Sequence, residues 1–191
     1  MDVITCKIFK IFIMTIHKLY KTFLFLILAT SSFGQSRGWT KNEQKFYGTM
    51  KSLCEHFKGR TYDTTQRSFV FKEFVYFDNI LGDTSNTQIE RRIKCFDGLF
   101  YIMTHFIDSV GLENLDAKPT NCFKENKLFF KPYCKSGEMN QLLPYTLTYF
   151  DKRKPDEPIG TLLFEPKSHK LYAWIVVNQG GYHYFLTFNM V

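Results

Sequence analysis

The chain carries none of the short patterns that most often mark chemistry. GxSxG, HExxH, a phosphate-binding GxxxxGKS/T loop and an EF-hand loop are all absent, so no catalytic or nucleotide-binding constellation is written locally. Cysteine is sparse, five in 191 residues, with no CxxC and no Cys/His spacing of the kind zinc requires; neither a metal nor a cofactor is expected. Internal repeats and low-complexity tracts are lacking, which excludes solenoids and arrays. Charge of one sign is not in excess. The formal balance of +7 falls to +4 once Lys7, Lys10, Lys18, Lys21 and Asp2 are set apart with the N-terminal leader, too mild for a nucleic-acid partner.

The one marked apolar run near the N-terminus is Phe23–Ala29. Lys18 and Lys21 precede it, and Ser32, Phe33 and Gly34 follow, leaving small residues before a cut at Gln35. Basic, apolar and small-residue regions in that order read as a secretory signal peptide, residues 1–34, with Met14 as an alternative start. His17, Lys18 and Lys21 interrupt the pattern upstream, and a spanning helix needs about 20 apolar residues. The alternative is an uncleaved N-terminal membrane anchor, the sole route to a membrane. The expected location is extracytoplasmic, secreted or periplasmic, which argues further against nucleic acid.

Residues 35–191 suit one domain with its own core, the whole chain being 45% hydrophobic and 23% charged. Its four cysteines, Cys54, Cys95, Cys122 and Cys134, are even in number. In an exported chain that suggests disulfides, with Cys122–Cys134 favoured and Cys54–Cys95 second.

Thr40 with Glu43 forms a capping-box pattern, and Phe46, Met50, Leu53 and Phe57 recur at helical spacing, which predicts a helix over 41–58. The aromatic and β-branched stretch 68–78 predicts a strand, followed by a turn at Leu81–Asn86. Next come two competing signals. Asp97-Gly98 between apolar stretches is a hairpin signature. Ile89, Ile93, Phe96, Phe100, Met103, Ile107 and Val110, however, recur at steps of four and three, which predicts a single amphipathic helix over 88–110, with Thr87 and Glu90 as a second capping pattern. Residues 112–143 read as irregular, with a short strand near 127–130.

From Tyr145 to Met190 the chain reads as a four-strand antiparallel meander. The fold class is α+β: this C-terminal meander packed against one long and one shorter amphipathic helix, plus a strand in the N-terminal half. Pairing Val177 with Tyr182 and Glu165 with Lys170 fixes a register. One face then carries Gly160, Leu162, Phe164, Leu171, Ala173, Ile175, Val177, Tyr182, Tyr184, Leu186 and Phe188 as a surface for the long helix. The other carries Thr161, Leu163, Tyr172, Trp174, Val176, His183, Phe185 and Thr187, aromatic in the middle and polar at the rim, as a ligand groove or partner surface requires.

The candidate binding residues are therefore Tyr172, Trp174, His183 and Phe185. The expected function is an exported binding or interaction domain for a protein partner or an apolar small ligand. The alternative is a small extracytoplasmic hydrolase or isomerase working in a sheet–helix pocket, with His183, or His169 beside Glu165, as a general base.

Overall fold

The structure, a computed structural model, describes residues 38–77, 86–134 and 137–188. The leader with its cleavage site, and the turn expected at Leu81–Asn86 but for Asn86 itself, lie outside them. Helix α1 spans Lys41–His56, and Thr40 caps it as the sequence predicts: its hydroxyl accepts from the Glu43 amide, and its own amide donates to the Glu43 carboxylate at 2.7 Å. Such a cap stabilises a helix by about 1 kcal/mol. Phe46, Met50, Leu53 and Phe57 are all buried.

The strand expected over 68–78 is not formed. Asp63 and Gln66 make a capping box around a 3-10 turn, Thr64–Gln66, that runs directly into helix α2, Arg67–Glu73. The segment after it meets the sheet at Leu171: Val75 forms a single parallel bridge there, with the Tyr76 amide donating to the Leu171 carbonyl and the Leu171 amide to the Phe74 carbonyl, both at 2.8 Å. Aromatic and β-branched enrichment measures fit to a half-buried surface rather than an intrinsic backbone preference. Here a capped turn decides the backbone, and Val70 and Phe74 take the buried positions as a helical pair.

Helix α3 spans Asn86–Val110, so the helical reading prevails over the hairpin and Thr87 lies inside it. Asp97, half of the hairpin signal, has another task. Its carboxylate accepts from the Tyr62 hydroxyl at 2.6 Å and from Arg67 Nε at 2.9 Å, and it pairs with Arg67 Nη2. With the Tyr62 amide on Thr104 Oγ1 at 3.2 Å, these bonds fasten the 57–67 connection to the helix.

Strand β1, Leu115–Pro119, falls within the stretch read as irregular, and pairs antiparallel with β2, Thr146–Asp151. It is an edge strand, where Asp116, Lys118 and Pro119 are tolerated and discourage further pairing. Residues Lys127–Phe130, expected as a short strand, form one helical turn, α4, capped by Asn126. Helix α5 follows at Glu138–Leu142. Strands β3 (Pro158–Phe164), β4 (Leu171–Gln179) and β5 (Tyr182–Thr187) complete a five-stranded antiparallel sheet in sequential order, so the meander is as expected with one strand added.

The sheet is covered on both faces. Helices α1 and α3 share one core with Leu147, Leu162, Phe164, Leu171 and Phe188, in which Phe46 stacks on Phe164 at 4.9 Å. On the other face Tyr133, Met139, Leu142 and Leu143 close over Leu163, Ala173 and Phe185.

Among the described residues no disulfide forms, so neither expected pair, Cys122–Cys134 nor Cys54–Cys95, is made. Cys54 faces Met103 and Ile107 of α3, whereas Cys95 lies eight residues earlier on that helix, about 12 Å along its axis and beyond a disulfide's reach. Cys134 turns its thiol to the Phe130 carbonyl at 3.5 Å.

Candidate functional site

Gly180 and Gly181 both adopt left-handed backbone, φ 60° and 84°, which closes the β4–β5 hairpin in two residues. The register therefore sits two residues from the expected one: Gln179 faces Tyr182, Asn178 faces His183 and Val177 faces Tyr184. A shift of two preserves side-chain parity, so His183 and Phe185 still share a face.

Further along, parity breaks. The register slips between Ala173 and Ile175 against β5, and between Leu163 and Phe164 against β3. This bulge sends Tyr172 and Ala173 to the cluster around Phe185, and Trp174 to the core beneath α1 and α3. The four predicted residues are thus not brought together. Phe185, 2% exposed, is core on the second face. Tyr172 lies half-buried beside it, edge-on to Tyr76 at 5.4 Å. Trp174 is half-buried on the opposite side of the sheet, its Nε1 covered and without a hydrogen-bond acceptor.

His183 borders a groove of about 940 Å³ between the hairpin and the residues Lys131, Pro132, Gly137, Glu138 and Met139. Tyr182, 79% exposed, and the half-buried Tyr184 line it on one side, with Lys131, Glu138 and Met139 on the other. The Tyr184 hydroxyl donates to Gln179 Oε1 at 2.8 Å and braces the hairpin. Opposite, Asn140 Nδ2 donates to the Tyr133 carbonyl at 2.9 Å, fastening α5 in place.

Among the described residues no hydrogen bond or ion pair joins His183 to a carboxylate, Glu138 included. Glu165 lies at the other end of β4, about 25 Å away at the rise of a strand, and its carboxylate accepts from the Lys167 amide at 3.0 Å and from the Ser168 amide. His169 occupies that same turn at φ 61°, its carbonyl accepting from Thr49 Oγ1 at 3.0 Å. Both histidines considered as bases therefore lack the oriented carboxylate that such a role calls for.

A second space lies on the helix side of the sheet. It is an apolar cavity of about 40 Å³ whose walls include Met50, Cys54, Met103, Tyr149, Leu162 and Trp174. Tyr149 stands opposite Gly160, whose missing side chain makes room for the ring: a Cβ there would fall 2.6 Å from the Tyr149 hydroxyl. Burial pushes the Cys54 thiol up to about 11 and the Tyr149 hydroxyl up to about 12, so both are neutral at pH 7. At roughly 24 cal/mol per Å³, an empty space of this size costs about 1 kcal/mol.

Among the described residues no three metal-ligating side chains converge, and no helix is long and apolar enough to cross a membrane. Comparison with protein-family models, with curated proteins and with solved structures finds no match to this chain.

Lys131, Glu138 and Met139 enter the groove from a stretch that carries no periodicity. Its sequence signal is punctuation, Pro132 and Gly137.

Proposed function

We propose that this is an exported binding domain that holds a segment of a protein partner in the groove beside His183. The observation that carries this reading is the groove's make-up. An exposed tyrosine ring, Tyr182, and a half-buried one, Tyr184, on a braced hairpin face a rim with one basic and one acidic side chain, Lys131 and Glu138. Tyrosine supplies large contact area at low entropic cost and a polar tip for orientation. Phe185 and Met139 form the floor and keep the groove's shape. Export rests on the leader, and predicts that the N-terminus of the isolated protein begins near Gln35.

The test places a photo-crosslinking amino acid at position 182, and as a control at Tyr101, which is 51% exposed on α3 away from the groove. Binding in the groove predicts a defined adduct from position 182 alone. It is lost on His183→Ala with Tyr184→Ala, and a synthetic peptide of the adduct's cross-linked segment binds the purified protein. Equal adducts from both positions, or none from 182, would remove the proposal.

A further inference from the structure

The apolar cavity shares a wall with a surface recess of about 200 Å³: Met50, Cys54 and Leu115 line both. Outside that wall the chemistry changes. Lys51 rises from α1, Lys58 from the turn just past its C-terminus and Lys152 from the β2–β3 loop, against Glu55 and Glu113, which leaves a balance of one positive charge. Lys152 is held, its Nζ donating to the Glu113 carbonyl at 3.0 Å. Lys51 sits 5.8 Å from the Tyr47 ring centroid, and among the described residues neither Lys51 nor Lys58 forms an ion pair.

We propose that recess and cavity are the two halves of one site for a short-chain amphiphile with an anionic headgroup, a carboxylate, for which octanoate is the probe. The headgroup rests on Lys51 and Lys58, and the chain passes the Met50–Cys54–Leu115 wall into the cavity. Each part of this assignment has its own support. The inner walls present no charged side chain, so the portion that enters is hydrocarbon. Two unpaired ammonium groups at the mouth select a negative head over a positive one. The resting cavity is too small for a whole chain, but two of its walls are methionine, Met50 and Met103, whose flexible unbranched side chains repack at little cost. This site lies across the sheet from the His183 groove and stands independently of the function proposed for that groove.

Octanoate and octylammonium, titrated separately into the purified ¹⁵N-labelled protein, test it. The reporter is the indole N–H of Trp174, one of two tryptophans and part of the cavity wall. Octanoate is expected to shift that resonance saturably and to bind about tenfold more tightly than octylammonium. The pair Lys51→Glu and Lys58→Glu, both on exposed surface, is expected to weaken octanoate about tenfold or more and to remove the preference. Cys54→Phe is expected to block chain entry. Should that variant fail to fold, the lysine pair decides on its own. No saturable Trp174 shift, equal affinity for the two headgroups, indifference to charge reversal, or shifts centred on Tyr182 and His183 would each overturn the assignment.

Discussion

Gly98→Ala separates the helix from the hairpin by the sign of one free energy. Gly98 lies in the interior of α3, exposed, with backbone outside the left-handed region and no atom within 4 Å of the Cβ it lacks. Alanine adds a methyl group in open space, and gains the helix propensity that glycine forgoes, about 0.8–1 kcal/mol. Part of that gain comes from narrowing the unfolded ensemble. For a domain of this size it corresponds to a rise in Tm of about 2–4 °C. In the two-residue turn that Asp97-Gly98 would otherwise suggest, both central residues need positive φ, and alanine would then cost about 1 kcal/mol instead. The alternatives differ by roughly 2 kcal/mol, well outside the error of paired urea or thermal melts. A loss of stability on Gly98→Ala would refute the continuous helix, and with it the placement of Phe96 and Phe100 in one core.

Four further outcomes follow from the same packing. Asp97→Ala leaves the buried Tyr62 hydroxyl without its acceptor and frees Arg67, and is expected to cost about 2–4 kcal/mol in denaturant melts, with Asp97→Asn costing less because it still accepts from Tyr62. Gly160→Ala drives a methyl into the Tyr149 ring and is expected to cost about 1–3 kcal/mol; combined with Tyr149→Ala the two losses should fall short of additive. Thiol titration of the native, non-reduced protein should find Cys122 and Cys134 reacting at once, both being exposed and outside any disulfide, and Cys54 only on unfolding; loss of both fast thiols would show that they are paired. Burial, and then the positive charge of Arg60, hold the His56 pKa below its ordinary 6.5, so the native state binds fewer protons than the unfolded chain. Its contribution to stability is complete above about pH 6.5 and falls away as the pH drops below; melts of His56→Phe should be less sensitive to acid between pH 7.5 and 5.5 than those of the parent.

Much of the fold was legible because several signals agreed. Thr40 and Glu43 cap α1 as their spacing implies, and the apolar period of α3 overrode a turn dipeptide whose aspartate serves Tyr62 and Arg67 instead. Two elements escaped for opposite reasons. Over 68–78, β-like composition hid a helix that the Asp63–Gln66 capping box announces. Over 115–119, Asp116, Lys118 and Pro119 look unlike a strand because an edge strand favours what an interior one rejects. The hairpin tip of the candidate site was readable in kind, though two residues off in register, since two glycines can close a turn alone.

The middle of β4 was not readable, and the reason bears on function. From Leu171 to Val177 the chain is apolar at every position, so no polar alternation fixes which residue faces which side. Volume and local twist then decide. Ala173 is completely buried beneath Phe185 and Tyr133, where an indole would overfill the space; Trp174 turns the other way, beside the cavity that remains between α1, α3 and the sheet. The bulge thus divides what polarity alone would make one site into two. Replacing Trp174 and Phe185 together would confound them, because one change opens the cavity wall and the other removes the groove's floor. Phe185→Ala, a core truncation of about 3–5 kcal/mol, measures stability whether or not the groove binds anything. Groove occupancy must be read from Tyr182, whose side chain carries little packing, and cavity occupancy from the Trp174 indole left in place.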